Sequence, residues 1–309
     1  MTIRSLFDVP APAKLNLFLH LVGRRDDGYH LLDSLMVPID WCDTLHFERR
    51  SDGRLARRDL GTELPADDLC LRAATALQRA AGTPLGADIA IDKVIPSGAG
   101  LGGGSSDAAS TLLALNRLWG LDWPLERLMP LGLALGADVP FFLGGTSARA
   151  SGVGEQLTPV KLASARFVVV KPEASLPTRA VFASPRVADA LAAARIAGFP
   201  EAACRPQDGL ARPEESGPEL AEGFGRNDLQ AAAEELCPDV ARAAAGLHAA
   251  FGNSRMTGSG SAVFARVTQA SDGSVPSAAM PSDWPAGWSS RVCRSLERHP
   301  LEGWARHMG

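Results

Sequence analysis

The sequence predicts an α+β protein of two domains. Segments that alternate apolar and polar residues with a period of two lie beside helix-length segments with apolar stripes, and the pattern breaks near residue 158. A chain of 309 residues suits one large or two ordinary domains, and the expected units are residues 1–158 and 159–309.

The first strand is AKLNLFLHLV, with Leu15, Leu17, Leu19 and Leu21 on one face and Lys14, Asn16, Phe18 and His20 on the other. RRDDG turns the chain, with Gly28 suited to a positive φ, and a second strand follows around 44–49. SDG at 51–53 marks another turn. A helix over 68–81 ends at Gly82, with Leu69, Ala73, Leu77 and Ala80 as its apolar stripe. A short strand at 88–94 leads into a glycine-rich loop. The next helix, 105–118, takes a serine as its cap and Asp107 in its first turn. Pro124 opens a further helix to Leu135, closed by Gly136. GADVPFFLGG then crosses to a hairpin around 151–154. RFVVVK at 166–171 is a buried-type strand, and 184–225 carries short helical pieces at most. Pro238 separates helices at 227–236 and 239–251. Strands at 262–267 and 290–296 flank a loop-like 269–288.

Composition is globular, with 46% hydrophobic and 21% charged residues. A net charge of −4 and a pI near 5.9 speak against a nucleic-acid surface. No secretory signal and no membrane-length apolar run is read, so a cytoplasmic protein without a membrane partner is expected. The five cysteines include no CxxC pair, which fits free thiols and suggests no zinc site. Arginine greatly outnumbers lysine, whose positions are Lys14, Lys93, Lys161 and Lys171; Tyr29 is the single tyrosine.

The loop, KVIPSGAGLGGGSSDAAS from Lys93, is not a Walker A motif, because no Gly-Lys-Ser/Thr ends it. It matches G-x-G-x-x-G at Gly98, Gly100 and Gly103. A dinucleotide fold, however, needs a parallel strand after the helix, and here a second helix follows. What remains is a run of backbone N–H groups ahead of a helix N-terminus, with serine hydroxyls beside them. That suits an anion with several phosphate oxygens better than a packing turn.

PSGAGLGGGSSDAA resembles the second motif of the GHMP kinase superfamily, which includes galactokinase, homoserine kinase and mevalonate kinase. PAKLNLFLHLVGRRDDGYH, LGADVPFFL and RMTGSGSAVFA are similar to further motifs of one branch, whose acceptor is 4-diphosphocytidyl-2-C-methyl-D-erythritol. GRNDLQ and the closing HPL add weaker support. The resemblance implies an N-terminal domain like ribosomal protein S5 domain 2, a ferredoxin-like C-terminal domain, and an active site between them. It further implies ATP and Mg²⁺, and phosphorylation of the acceptor's 2-hydroxyl in the non-mevalonate isoprenoid route. A monomer or weak homodimer is expected.

On this resemblance Lys14 stabilises charge and Asp138 is the general base; from the residues alone, a strand-start lysine and a turn-capping aspartate fit equally. The phosphates would lie against Pro96, Ser97, Gly98, Ala99, Gly100, Leu101, Gly102, Gly103, Gly104, Ser105 and Ser106, with Ser106 also the candidate metal ligand. Lys93 and the start of the helix at Asp68 would border adenine. Asp68 stands where the family has Asn and offers only acceptors, and Lys93 equally fits a solvated strand position. Asn16, Tyr29, His30, Thr178 and Phe182 would hold the acceptor, Tyr29 and Phe182 by stacking on cytosine and His30 by reading its edge. The small-residue loop at 258–261 fits both a hairpin connection and a second wall of the phosphate site. A kinase with another acceptor, such as homoserine or mevalonate, and a non-catalytic nucleotide or RNA binder are the competing readings.

Overall fold

The computed structural model describes residues 3–196, 225–267 and 284–305. Two long antiparallel strands open the chain, β1 (Ser5–Arg24) and β2 (His30–Arg50). Between them Gly28 takes the positive φ that the turn requires. β2 also pairs with β4 (Gly86–Asp92) through Thr44–Arg50 and with β5 (Ala148–Ser151) through Ser34–Met36. β3 (Leu55–Asp59), parallel to β4, and β6 (Gln156–Pro159) complete a six-stranded sheet. β3 escapes the sequence reading because LARRD is mostly polar; β4 aligns it, and Arg57 fastens it to Asp59 and Asp68.

Alternation fails as a guide to β1 after Asn16. The register with β2 shifts between Asn16 and Phe18, so one residue is bulged out and the side-chain parity inverts. Leu19 therefore shares a cavity wall with Lys14 and Asn16, and both faces of the strand are covered: Leu15 and Lys14 are alike buried.

Four helices pack on one face of this sheet. α1 (Leu69–Ala81) begins at Asp68, whose carboxylate accepts from the Cys70 and Leu71 N–H groups, and ends at left-handed Gly82. Its buried stripe is Cys70, Ala73, Ala74 and Leu77; Ala80, expected inward, is exposed. α2 (Gly103–Leu118) begins two residues before the expected serine cap, and Gly102 serves as its left-handed N-cap. α3 (Leu125–Leu135) follows, and then α4 (Val139–Gly144), a six-residue helix where the sequence predicts a plain crossing.

The second sheet contains β7 (Arg166–Lys171), β8 (Arg255–Met256), β9 (Val263–Val267) and β10 (Ser289–Arg294). Its order, β10-β7-β9-β8, is antiparallel throughout, a fourth-first-third-second arrangement of the ferredoxin-like kind. α5 (Thr178–Phe182), α6 (Pro185–Ile196), α7 (Gln230–Leu236) and α8 (Pro238–Phe251) accompany it. α6 is twelve residues long, more than the short pieces expected there. The rest of 184–225 and most of the 269–288 loop lie outside the described residues, as does Cys204; Cys42, Cys70, Cys237 and Cys293 are free thiols. Among the described residues, no helix is long and apolar enough to cross a membrane.

Three apolar clusters hold the molecule together. One lies between the first sheet and α1–α4, and a second between the second sheet and its helices. The third joins the two sheets. There Leu15, Val37 and Ile39 meet Phe167, Val169 and Phe264, and Ile95, Ala99 and Leu101 of the glycine loop lie among them.

After β10 the chain returns to the first sheet. Leu296 N–H donates to Pro38 O at 2.8 Å, His299 N–H to Gly145 O at 2.6 Å, and Leu301 enters the first core. Burial lowers the His299 pKa to about 4, so the folded state holds a neutral ring where the unfolded chain takes up a proton. This residue's stabilisation is complete above about pH 6.5 and is lost as pH falls toward 4, by at most about 3 kcal/mol. His299→Asn keeps an acceptor and removes the titration. Urea melts from pH 7.5 to 4.5 should show the variant losing about 1–3 kcal/mol less stability than wild type on acidification.

Candidate active site

A cavity of about 610 Å³ opens between the two sheets, and the candidate site residues from the sequence line it, except Tyr29, His30 and Ser106. The glycine loop from Pro96 to Ser105 supplies one wall. Lys14 and Asn16 from β1, Asp138 from the head of α4, Thr178 and Phe182 from α5, and Gly258–Gly260 supply the rest.

The loop is anchored from behind and bare in front. Ile95, Ala99 and Leu101 are buried at 2% exposure or less, whereas Gly98, Gly100 and Gly102 take positive φ between 62° and 74°. The glycine requirement is clearest at Gly100, where an added Cβ would lie 2.2 Å from the Thr257 carbonyl oxygen. An added Cβ at Gly258 would in turn lie 2.8 Å from Gly100 O, and Ala262 N–H donates to Ala99 O at 3.1 Å. The small-residue loop at 258–261 is thus the second wall of the glycine loop. At the start of α2, Ser106 N–H already donates to Gly102 O. The N–H groups of Gly103, Gly104 and Ser105 precede any intrahelical partner and carry the positive end of a sixteen-residue helix.

Lys14 is almost fully buried at the cavity wall. Its N–H donates to Leu101 O at 2.9 Å, which ties its backbone to the glycine loop. Its Nζ donates to Asn16 Oδ1 and stands 3.7 Å from Asp138 Oδ2. Asn16 is held in turn by Ser34 Oγ, which accepts from Nδ2 at 2.7 Å, and by Thr257 Oγ1, which accepts from its backbone N–H at 2.9 Å. Asp138 sits at the N-cap of α4, yet its carboxylate makes no capping hydrogen bond, so it remains turned to Lys14 and the cavity. The turn-capping reading of this aspartate therefore falls away.

Lys93 is neither solvated nor free. Its Nζ pairs with Asp43 and, at 2.7 Å, with Asp107, and all three side chains are nearly or wholly buried. Asp43 Oδ1 also accepts from the Val94 and Ile95 N–H groups at 2.6 and 2.7 Å. Burial pushes Asp107 up to about 7, while the two carboxylates together hold Lys93 above its usual value. Asp107, expected to meet the helix dipole, thus forms a buried triad that fixes the entrance of the loop. Asp68 is similarly committed, capping α1 and pairing with Arg57 at 2.6 Å.

Ser106 does not fit a metal. Its side chain is fully buried, its hydroxyl has no hydrogen-bond partner among the described residues, and it lies outside the cavity wall. Of these two neighbouring serines, the half-buried Ser105 lines the cavity. Among the described residues no cluster of three His, Cys, Asp or Glu side chains could hold an ion by itself.

On the acceptor side, His30 stacks on Phe182 with ring centroids 5.3 Å apart, and Thr178 Oγ1 is 2.8 Å from Ser259 Oγ. Burial, with help from Arg24, lowers the His30 pKa and favours a neutral ring. Tyr29, 65% exposed, stands on the preceding turn and does not face Phe182 across the cavity. Sequence reasoning missed Asp43, Ser34 and Thr257. Asp43 alone left a signal, a carboxylate inside the apolar strand segment WCDTLHF.

Comparison with known proteins agrees with this geometry. The family model for the N-terminal domain of GHMP kinases matches residues 68–146, and that for their C-terminal domain matches 211–284. The chain is 56% identical over 307 residues to a 4-diphosphocytidyl-2-C-methyl-D-erythritol kinase of Methylibium petroleiphilum, covering 99% of this chain and all of that one. A kinase of the same name from Variovorax paradoxus is 54% identical, covering 98% of this chain and all of that one. A crystal structure of 4-(cytidine 5'-diphospho)-2C-methyl-D-erythritol kinase superposes with a TM-score of 0.71 at 35% identity, covering 94% of this chain and 98% of the other. Homoserine kinase from Cytophaga hutchinsonii, at 16% identity and a TM-score of 0.67 over 96% of this chain and 95% of its own, shares the fold. The chain is a kinase of the GHMP superfamily and belongs to its 4-diphosphocytidyl-2-C-methyl-D-erythritol kinase family.

Proposed function

We propose that this kinase transfers the γ-phosphoryl group of ATP to the 2-hydroxyl of 4-diphosphocytidyl-2-C-methyl-D-erythritol. The observation that carries the reading is the meeting, in one cavity, of the Lys14–Asp138 pair with the glycine loop and the start of α2. The loop and helix amides hold the phosphates. Asp138 accepts the proton of the acceptor hydroxyl as its oxygen bonds to the γ-phosphorus, the bond to the β,γ-bridging oxygen breaks, and ADP leaves. Lys14 stabilises the charge on the transferring group from a site largely closed to water. Mg²⁺ bound with the nucleotide would neutralise phosphate charge, and Ser105, in place of Ser106, is the residue of this chain that would hold it.

The ATP-binding unit is residues 1–158 and the second unit begins at 159, with the tail from Ser295 returning to the first. Cytosine stacks on the face of Phe182 that His30 leaves free, so that His30 backs this ring and does not read the base edge, and Tyr29, exposed on the neighbouring turn, moves in over the base when it binds. A cytidyl-bearing acceptor is favoured over homoserine or mevalonate by this group of rings. A coupled assay of ADP release with the three acceptors tests the assignment: turnover with the cytidyl compound, competed by cytidine diphosphate, is expected, and turnover with either of the others alone would overturn it.

Asp138→Asn should lower kcat by a hundredfold or more, on the order of a lost general base, with both KM values within about threefold of wild type. Phe182→Ala and Tyr29→Ala should each raise the acceptor KM about tenfold, the scale of one lost base stack, and leave the ATP KM unchanged. Asp43→Asn leaves Lys93 with one carboxylate and weakens the anchor of the loop. It should destabilise the fold by about 3 kcal/mol in urea melts and raise the KM for ATP, not for the acceptor.

A further inference from the structure

Of the four lysines only Lys161 is exposed, and Lys171, the last residue of β7, is the buried one to which the chemistry above gives no part. It is 6% exposed. Its Nζ donates to Glu173 O at 2.9 Å, to Ala174 O at 3.0 Å and to Ser175 Oγ at 3.3 Å, which uses all three hydrogens of an ammonium. Each of these acceptors is neutral. Lys93 has Asp43 and Asp107 at contact, and Lys14 has Asp138 at 3.7 Å. Among the described residues no carboxylate forms an ion pair with Lys171. Burial lowers its pKa, and Cys237 and Glu173 offset this only in part.

The residues that Lys171 gathers bear directly on the glycine loop. Ser175 Oγ, while accepting from Lys171, donates to Ser97 O at 3.1 Å. A Cβ on Gly98 would lie 2.8 Å from Ser175 Cβ. Ser261 Oγ donates to Ala174 O at 2.6 Å, and Leu176 continues into the wall of the main cavity beside Gly260. The ammonium thus stands two hydrogen bonds behind Ser97, and it comes from the second sheet, whereas Lys14 comes from the first. Lys171 itself does not line the cavity, so it reaches a bound group through Ser175 and the loop and not by contact. A buried charge without a counter-ion is costly, and the cost is offset where an anion arrives near by.

We propose that Lys171 is a positioning residue of the nucleotide site: it braces the turn 173–175 against Ser97 and Gly98 and supplies, from behind the glycine loop, positive charge for the phosphates of a nucleoside triphosphate. The inference rests on the placement of ATP proposed above and not on the identity of the acceptor. Its mark is a dependence on phosphate charge. Loss of the ammonium weakens a ligand in proportion to the phosphates it carries and leaves uncharged adenosine alone, whereas a general loosening of the cavity weakens every ligand.

Equilibrium dialysis of the full-length protein against Mg²⁺-ATP, ADP and adenosine measures each Kd without turnover. Lys171→Met keeps the length of the side chain without its charge, and Lys171→Gln keeps donors for the Glu173 and Ala174 carbonyls, also without charge. Each should raise the Kd for ATP about tenfold, the scale of one unit charge within a protein, raise that for ADP less, and hold that for adenosine within about twofold. Ser175→Ala, at an exposed position, breaks the link to Ser97 and tests the proposal even if neither lysine variant folds; it should raise the Kd for ATP about threefold, the scale of one hydrogen bond, and leave adenosine unchanged. Equal losses for ATP and adenosine would make Lys171 a support of the fold alone and overturn the proposal. An unchanged Kd for ATP in a folded Lys171 variant or in Ser175→Ala would overturn it as well. A wild type that does not bind ATP would overturn the nucleotide reading itself, and this inference with it.

Discussion

The site depends on a loop that is apolar behind and bare in front. Ile95, Ala99 and Leu101 are driven into the core between the two sheets, and burying side chains of this size is worth a few kcal/mol in all. That anchorage pays for the unusual backbone of Gly98, Gly100 and Gly102, which is thereby presented to the cavity. The same core joins the domains, so the proposed phosphate site and the domain interface are one piece of structure. The Lys14 amide reaches into it through Leu101 O, and Gly258 closes on Gly100 from the second domain. A side chain at Gly100 would push against backbone and displace both walls together.

Two buried lysines flank this loop and are treated differently. Lys93 has two carboxylates at contact distance and spends its charge within the fold. Lys14 has one neutral amide at contact and one carboxylate at 3.7 Å, which is beyond a direct hydrogen bond. Of the two, its charge is therefore the one that no carboxylate meets at contact distance, as the proposed role beside a phosphoryl group requires. A chain that writes arginine almost everywhere keeps lysine at both positions, where a compact ammonium fits between closely spaced oxygens.

Much of this was legible in the sequence because it rests on short contiguous motifs. The glycine loop, Lys14, Asn16 and Asp138 lie in such motifs and converge as expected. The failures have local causes. A period of two sets Leu19 on the wrong face because a bulge in β1 inverts parity, and such a count cannot detect a bulge. Sequence points to Ser106 as a ligand because adjacent serines look alike there, whereas on a helix one step turns the side chain by about 100° and into the core. Asp43, Ser34 and Thr257 act through pairings more than fifteen residues away in sequence, so no motif could place them. The short helix α4 is specified mainly by its packing against α2 and α3.

The central claim is that the nucleotide's phosphates lie against the glycine loop, with Lys14 and Asp138 on either side of the attacking oxygen. A crystal structure with a non-hydrolysable ATP analogue, Mg²⁺ and the cytidyl acceptor tests it most directly. The account predicts γ-phosphate oxygens within hydrogen-bond distance of Lys14 Nζ and the acceptor's 2-hydroxyl within the same distance of the Asp138 carboxylate. Phosphates bound away from residues 96–105, or a hydroxyl out of reach of Asp138, would contradict it.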